Sequence, residues 1–379
     1  MESEVTPTTN VMPEPVTHSS APVNSPQDAT TRELARIWQE LLGVESVGLD
    51  QNYFDLGGDS ALAVHLFAQI EKSFGIKLPL ATLFEAPTIE ELARIIQSEA
   101  PSTGWNPLVA IQPAGSRPIF FCIHGAGGNV LIYRELSQNL GSDQPFYGLQ
   151  SQGLDGSCAP LTRIEDMAAL YVKAIRRQQP HGPYMVGGYC GGGLVAYEVA
   201  QQLRSAGEEI ALLALFDTMN PCKIQPPSMA SRTYYDLERL WFHAANFMRL
   251  DFEGKSSFFQ EKMHALKSRL PVWWGMVLAK SGKKSEQVSG PRVLGQIWQA
   301  NDLACQNYVP QPFPGVLTDF RPLKQYRSLD KPDAKWEHLA LQGQNIVVLP
   351  VYPAGMLLEP FVKHLAVALK KAIDGTIRT

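Results

Sequence analysis

The stretch Gly188-Tyr189-Cys190-Gly191-Gly192 constrains this chain more than any other. An apolar run, Tyr184 to Gly187, leads into it, and a helical pattern from Leu194 to Leu203 leads out. A turn this abrupt between strand and helix leaves no room for side chains beside its apex, hence the glycines. The apex residue then projects alone above the edge of a sheet, the layout of a nucleophile elbow. Here that residue is a thiol. Set at a helix N-terminus, Cys190 has the helix dipole and unpaired backbone N–H groups to favour its anion. Elsewhere a free cysteine behaves as a small apolar side chain, which is how Cys122 reads inside its apolar strand.

The surroundings of the elbow alternate in character. Apolar runs at 108–111, 118–123, 146–149 and 210–216 read as strands, and helical patterns at 164–177 and 194–206 lie between them. A glycine-rich loop, His124-Gly125-Ala126-Gly127-Gly128, follows the second run, and Asp217 ends the run after the elbow. Such alternation predicts an α/β domain with a mostly parallel sheet. Continuous apolar strands predict that helices cover both faces. The alternation breaks at about 225–295, where helical segments carry Trp241, Phe242, Phe247, Met248, Trp273, Trp274 and Met276. This reads as a lid over an apolar channel, or as aromatic packing of those helices onto the body. Two more strands, at 316–318 and 346–349, precede a closing helix at 359–373.

Upstream lies a different unit. Residues 1–29 are rich in Thr, Pro, Ser and Asn without periodicity, the composition of a disordered leader. Over residues 30–100 four helices are predicted. Leu34, Ile37, Trp38, Leu41 and Leu42 mark the first, and Leu62, Val64, Leu66, Phe67 and Ile70 mark the second. A short third helix spans 78–84, and Thr88 with Glu91 forms the capping box of a fourth. The second helix begins at Ser60, after the loop Phe54-Asp55-Leu56-Gly57-Gly58-Asp59. Gly57 and Gly58 clear space for another protein to approach, and a helix N-terminus favours a phosphate. The plainer role for Ser60 is that of N-cap. A linker at 101–106 separates this acidic bundle from the second domain, 107–379, so the fold class is α plus α/β.

Composition narrows the setting. A net charge of −4 gives no reason to expect nucleic acid or an anionic membrane as partner. No apolar run reaches the roughly 20 residues of a membrane span, and no signal peptide is recognisable. Five scattered cysteines suit reduced thiols in a cytoplasmic protein, and no Cys-x-x-Cys pair points to zinc or another metal.

Residues 30–100 resemble an acyl or peptidyl carrier domain, on the motif Phe54-Asp55-Leu56-Gly57-Gly58-Asp59-Ser60 within a four-helix pattern. The resemblance implies that Ser60 carries covalent 4'-phosphopantetheine. The second domain resembles the thioesterase domain that terminates nonribosomal-peptide and polyketide assembly lines, an α/β-hydrolase with a helical lid. Its markers are the 124–128 loop, Gly182-Pro183-Tyr184, the elbow, Phe216-Asp217, Tyr308-Val309-Pro310 and Leu358-Glu359-Pro360. This resemblance implies that Cys190 is the nucleophile, that the N–H groups of Ala126 and Gly191 form an oxyanion hole, and that Asp217 is the triad acid. It also implies partners: a phosphopantetheinyl transferase, and separate adenylating or synthase enzymes that load the carrier, since no adenylation, ketosynthase or condensation segment occurs in the sequence.

The match fails at the triad base. The family places a Pro-Gly-Asp-His loop shortly before the final helix. Here the stretch reads Leu349-Pro350-Val351-Tyr352-Pro353-Ala354-Gly355-Met356, without histidine. Pro353 stands near the expected position. His338 and His364 lie too far from the sheet's carboxyl edge in such a fold, and His124 belongs to the oxyanion loop. A serine would be inert without its base. A thiol with an ordinary pKa near roughly 8.5 is already a few per cent thiolate at neutral pH. The expectation is therefore a carrier–thioesterase didomain that holds an acyl or peptidyl chain on Ser60 and releases it through an acyl-Cys190 intermediate. Release proceeds by transfer, cyclisation or hydrolysis, with water the hardest acceptor to activate. The alternative is a non-catalytic holding module with a degenerate second domain.

Overall fold

The computed structural model describes residues 28–98, 105–220, 289–323, 336–351 and 355–377. Most of the predicted leader and linker, and all but the end of the predicted lid, lie outside the described residues, as do Tyr352 and Pro353.

The first unit is four helices: α1 (Ala29–Leu42), α2 (Ser60–Phe74), α3 (Thr82–Glu85) and α4 (Ile89–Gln97). Leu34, Ile37, Trp38 and Leu42 recur every three or four residues along α1, so they share one face and are fully buried. They meet Leu62, Leu66 and Ile70 of α2, Ile89, Leu92 and Ile96 of α4, and Tyr53 from the loop before α2. Caps fix where the helices start. The Asp28 carboxylate accepts from the Thr31 N–H at 2.8 Å, and Thr88 and Glu91 form the predicted box on α4. The helix predicted at 78–84 is shorter. Residues 79–84 close three-residue turns, with Thr82 N–H donating to Pro79 O and Leu83 N–H to Leu80 O, and α-helix begins only at Thr82.

The second unit is a sheet of seven strands: β1 (Leu108–Gln112), β2 (Phe120–Ile123), β3 (Phe146–Leu149), β4 (Tyr184–Tyr189), β5 (Ile210–Phe216), β6 (Leu317–Pro322) and β7 (Gln344–Leu349). Their order is β1-β3-β2-β4-β5-β6-β7. Only β1 runs antiparallel to its neighbour; the other pairings are parallel. The helices are α5 (Arg134–Leu140), α6 (Ile164–Gln178), α7 (Gly191–Ser205), α8 (Ser289–Asn307) and α9 (Val362–Ile377). α6 and α7 pack on one face and α5 and α9 on the other. β2 and β3 are buried at every position, as their unbroken apolar runs require. No described helix is long and apolar enough to cross a membrane.

The two units touch. α2 packs against α8. The Arg134 guanidinium lies 4.4 Å from the centre of the Phe54 ring and 3.4 Å from the Asp55 carboxylate. Leu131, just past the glycine-rich loop of the second unit, is buried within the core of the first.

Candidate active site

β2 lies between β3 and β4 in the sheet. The chain leaves β2 to one side and later returns on the other, so the loops at the carboxyl ends of β2 and β4 diverge. Ligands of open parallel sheets bind in the crevice opened at such a switch point. Three predicted features gather there: the His124–Gly128 loop follows β2, Cys190 follows β4 and Asp217 follows β5. Strand register brings the last two together. Tyr189 pairs with Phe216, and the Cys190 N–H donates to Phe216 O at 2.9 Å.

The elbow is built on steric exclusion. A Cβ on Gly188 would strike the Gly192 carbonyl, and one on Gly192 would strike the backbone carbonyls of Ile123 and His124. Alanine at either position would therefore press backbone into backbone. Cys190 itself takes φ 54° and ψ −121°, and Asp217 takes φ 45°. These are the two non-glycine residues with positive φ among the described residues. Strain of this kind persists only where surrounding structure enforces it, and it concentrates at functional sites. Tyr133 helps to enforce it. Its hydroxyl donates to Ile123 O at 2.5 Å and accepts from the Tyr189 N–H at 3.2 Å, tying together the ends of β2 and β4.

Cys190 is the N-cap of α7 but its side chain caps nothing. The first N–H groups of a helix have no intrahelical acceptor, and Gly191, at the first position of α7, lines the crevice. The Ala126 carbonyl accepts from the Asn301 side chain at 2.8 Å, which anchors the loop carrying the second expected donor.

These residues line a cavity of about 840 Å³, large enough for a drug-sized ligand. Ile164, Met167, Leu194, Val195 and Met219 give it an apolar wall. α8 supplies another wall with Trp298, Asn301, Asp302 and Cys305. No role in the site was read for these four from the sequence, yet 298, 301, 302 and 305 fall at the spacing of one helix face. That stripe was the available signal.

His124 also borders the cavity, but it is 2% exposed and both ring nitrogens are engaged. Nδ1 lies 2.7 Å from Gly125 O, which can only accept, so Nδ1 carries the proton. Nε2 then accepts from the Tyr171 hydroxyl at 2.8 Å. Burial pushes this imidazole down to about 4, leaving it neutral. His338 and His364 are exposed and neither borders the cavity. Among the described residues, no histidine presents a free nitrogen to the crevice.

In the first unit, α2 is capped by Asp59: the Leu62 N–H donates to its carboxylate at 2.8 Å. The simpler role considered for Ser60 is thus taken by its neighbour. Ser60 sits half-buried at the first position of α2. The preceding turn is shaped by Gly58, where a Cβ would run into the Tyr53 ring. A half-exposed serine relieved of capping fits the attachment of a phosphodiester-linked group.

A mostly parallel sheet with this strand order and a nucleophile turn at its carboxyl edge defines the second unit as an α/β-hydrolase fold. Residues 118–284 match the family model of the thioesterase domain, and residues 32–96 match that of the phosphopantetheine attachment site. The chain therefore joins a phosphopantetheine-binding carrier domain to a thioesterase domain, the pairing found in nonribosomal peptide synthetases. The carrier family bears 4'-phosphopantetheine covalently.

Malpinin synthetase of Mortierella alpina is 42% identical over 213 residues, which take in 55% of this chain and 3% of that protein. The dimodular nonribosomal peptide synthase of Bacillus subtilis (strain 168) is 37% identical over 206 residues, 54% of this chain and 9% of that one. The chain thus spans a small fraction of the curated relatives it matches. Among solved structures, a four-domain nonribosomal peptide synthetase superposes on 95% of this chain with a TM-score of 0.55 and 25% identity, over 27% of its own length. The NocB thioesterase domain covers 70% of this chain and 99% of its own, with a TM-score of 0.50 and 19% identity, a likeness of fold alone.

Proposed function

We propose that this chain captures an acyl or peptidyl group on Cys190 and passes it to an acceptor, with amine or thiol acceptors favoured over water. One observation carries the reading. The loop before Ser60 is held by Arg134, and α2 packs on α8, which lines the Cys190 cavity. Ser60 is the attachment residue. When bound there, phosphopantetheine supplies a terminal thiol that carries the chain as a thioester. The Cys190 thiolate, favoured at the start of α7, attacks the thioester carbonyl carbon. The N–H groups of Gly191 and Ala126 receive the negative charge that develops on the carbonyl oxygen. Asp217 is the acid of the triad. The apolar wall of the cavity suits an acyl chain or apolar peptide side chains.

The acceptor preference follows from His124. With both nitrogens engaged it cannot remove a proton from water. An amine attacks without that help. The same observation favours a second reading, in which the domain shelters the chain without releasing it.

The test is to load Ser60 with an acyl-pantetheine group and follow the chain by intact mass, with and without an added amine. Transient acylation of the Cys190 peptide, absent in Cys190→Ala, is expected. Turnover unchanged in Cys190→Ala would overturn the mechanism. Stable loading with no acyl group ever on Cys190 would establish the sheltering role.

A further inference from the structure

The elbow has a second thiol beside it. A Cβ built on Gly191 would lie 3.0 Å from the Cys305 sulfur, the one neighbour within reach of that position. Cys305 comes from α8 and Cys190 from the turn before α7, and both line the same cavity. Consecutive Cα atoms stand about 3.8 Å apart, so a sulfur against Gly191 is a near neighbour of Cys190, and the two thiols sense each other electrostatically. The other described cysteines are placed differently. Cys122 is wholly buried in β2, and Cys158 is exposed in a loop beside Ser157.

We infer that Cys190 and Cys305 form a reversible dithiol–disulfide pair, in which Cys190 reacts first with a hydroperoxide and Cys305 resolves the product. This pairing stands apart from the acyl-transfer reading. In the first step the Cys190 sulfur attacks one peroxide oxygen. The O–O bond breaks, an S–O bond forms, and the departing oxygen takes a proton and leaves as water or an alcohol. In the second step the Cys305 sulfur displaces hydroxide from the Cys190 sulfenic acid. The S–O bond breaks, the S–S bond forms, and the Cys305 proton leaves with the hydroxide as water. Two thiols lose two electrons and one peroxide gains them.

The environments of the two sulfurs set the order. Cys190 is exposed at a helix N-terminus, where thiolates are favoured. Cys305 is half-buried, and that burial, with the charges of Cys190 and Asp302, pushes its thiol up to about 12. It therefore stays protonated and does not compete for the oxidant. Once Cys190 is an uncharged sulfenic acid, its part of that pressure disappears and Cys305 becomes easier to deprotonate. Bridging also stops Cys190 from passing to sulfinic acid, which is not reversible by thiols. While bridged, the elbow presents no nucleophile.

The experiment uses the full chain, reduced, then treated with one equivalent of hydrogen peroxide and alkylated. Against the reduced, alkylated chain, intact mass is expected to lack two alkyl groups, and a peptide pair should join Cys190 to Cys305, both reversed by dithiothreitol and renewed alkylation. In Cys305→Ser and Cys305→Ala the bridge is lost, and dimedone labels Cys190 instead. Equal dimedone labelling of Cys190 in the wild type and in these variants would overturn the pairing. So would a bridge from Cys190 to Cys158 or Cys222. A chain that captures acyl groups on Cys190 but never bridges overturns the pairing alone. One that bridges but captures nothing overturns the acyl reading alone.

Discussion

Two helices in this chain begin at a proposed site residue, α2 at Ser60 and α7 just after Cys190, and they treat their first turns differently. In α2 the Asp59 carboxylate takes the Leu62 N–H, so the helix start is satisfied by its own chain. In α7 no side chain does this. Cys190 stands in a strained positive-φ conformation and its side chain makes no cap hydrogen bond, while the Gly193 N–H turns back to the Cys190 carbonyl. The difference suits the chemistry proposed for each end. A serine that is modified by another enzyme needs only to be presented, so its helix can be capped for stability. A thiol that must attack and then hold a developing oxyanion needs the first helical N–H itself, and stability there comes from elsewhere. It comes from the Tyr133 bridge, the buried His124 and the glycine contacts.

This contrast can be broken at several points. The largest effect is expected from Ser60→Ala. Incubation with a phosphopantetheinyl transferase and coenzyme A should give no mass gain at all, and any gain would move the attachment site elsewhere.

Next come the glycines of the two turns. Gly192→Ala pushes a Cβ into backbone carbonyls that cannot yield, and urea unfolding should register a loss of about 3 kcal/mol or more. Gly58→Ala meets the Tyr53 ring, a side chain able to shift, and should lose about 1–2 kcal/mol. Equal losses would mean that the carrier turn is as rigid as the elbow.

A comparable effect comes from pH. His124 has its folded pKa lowered from 6.5 to about 4, so the unfolded state binds the extra proton first. The stability this ring permits is complete above pH 6.5 and falls away as pH drops towards 4. The loss is about 3 kcal/mol for a fully buried ring. Urea midpoints of the thioesterase domain at pH 7 and 4.5 should show the decline, and His124→Gln should flatten it. His65, on α2 and only partly buried, shifts in the same direction, so the carrier is expected to respond less.

The smallest effect separates the two helix starts directly. Asp59→Ala should lose about 1 kcal/mol of carrier stability, most of it restored by Asn at the same position. Cys190→Ser should leave unfolding within about 0.5 kcal/mol, because that side chain caps nothing. A drop for Cys190→Ser as large as for Asp59→Ala would erase the distinction.

Much of this could be read in advance, and the reason is steric. A strand-to-helix turn with an exposed apex demands glycines at fixed spacing, so Gly188 to Gly192 announced the fold and pointed to the candidate site. The loop before Ser60 is legible for the same reason. The contribution of α8 was not legible. Trp298, Asn301 and Cys305 share a face, but its mixture of polar and apolar residues looks like a solvated surface. Only the fold brings Cys305 against Gly191, more than a hundred positions away. Tyr133 was equally silent, since the partners of its hydroxyl are set by which strands become neighbours. The start of α3 and both ends of α9 moved by a few residues, as boundaries set by turns and prolines do.

The contact between Arg134 and the loop before Ser60 has one further consequence. Arg134 grips Phe54 and Asp55, which are the same whatever chain Ser60 bears. Under the proposed function, docking at this contact is blind to cargo and has no proofreading value. A wrongly loaded carrier would seat as well as a correct one, leaving any quality control to the cavity wall.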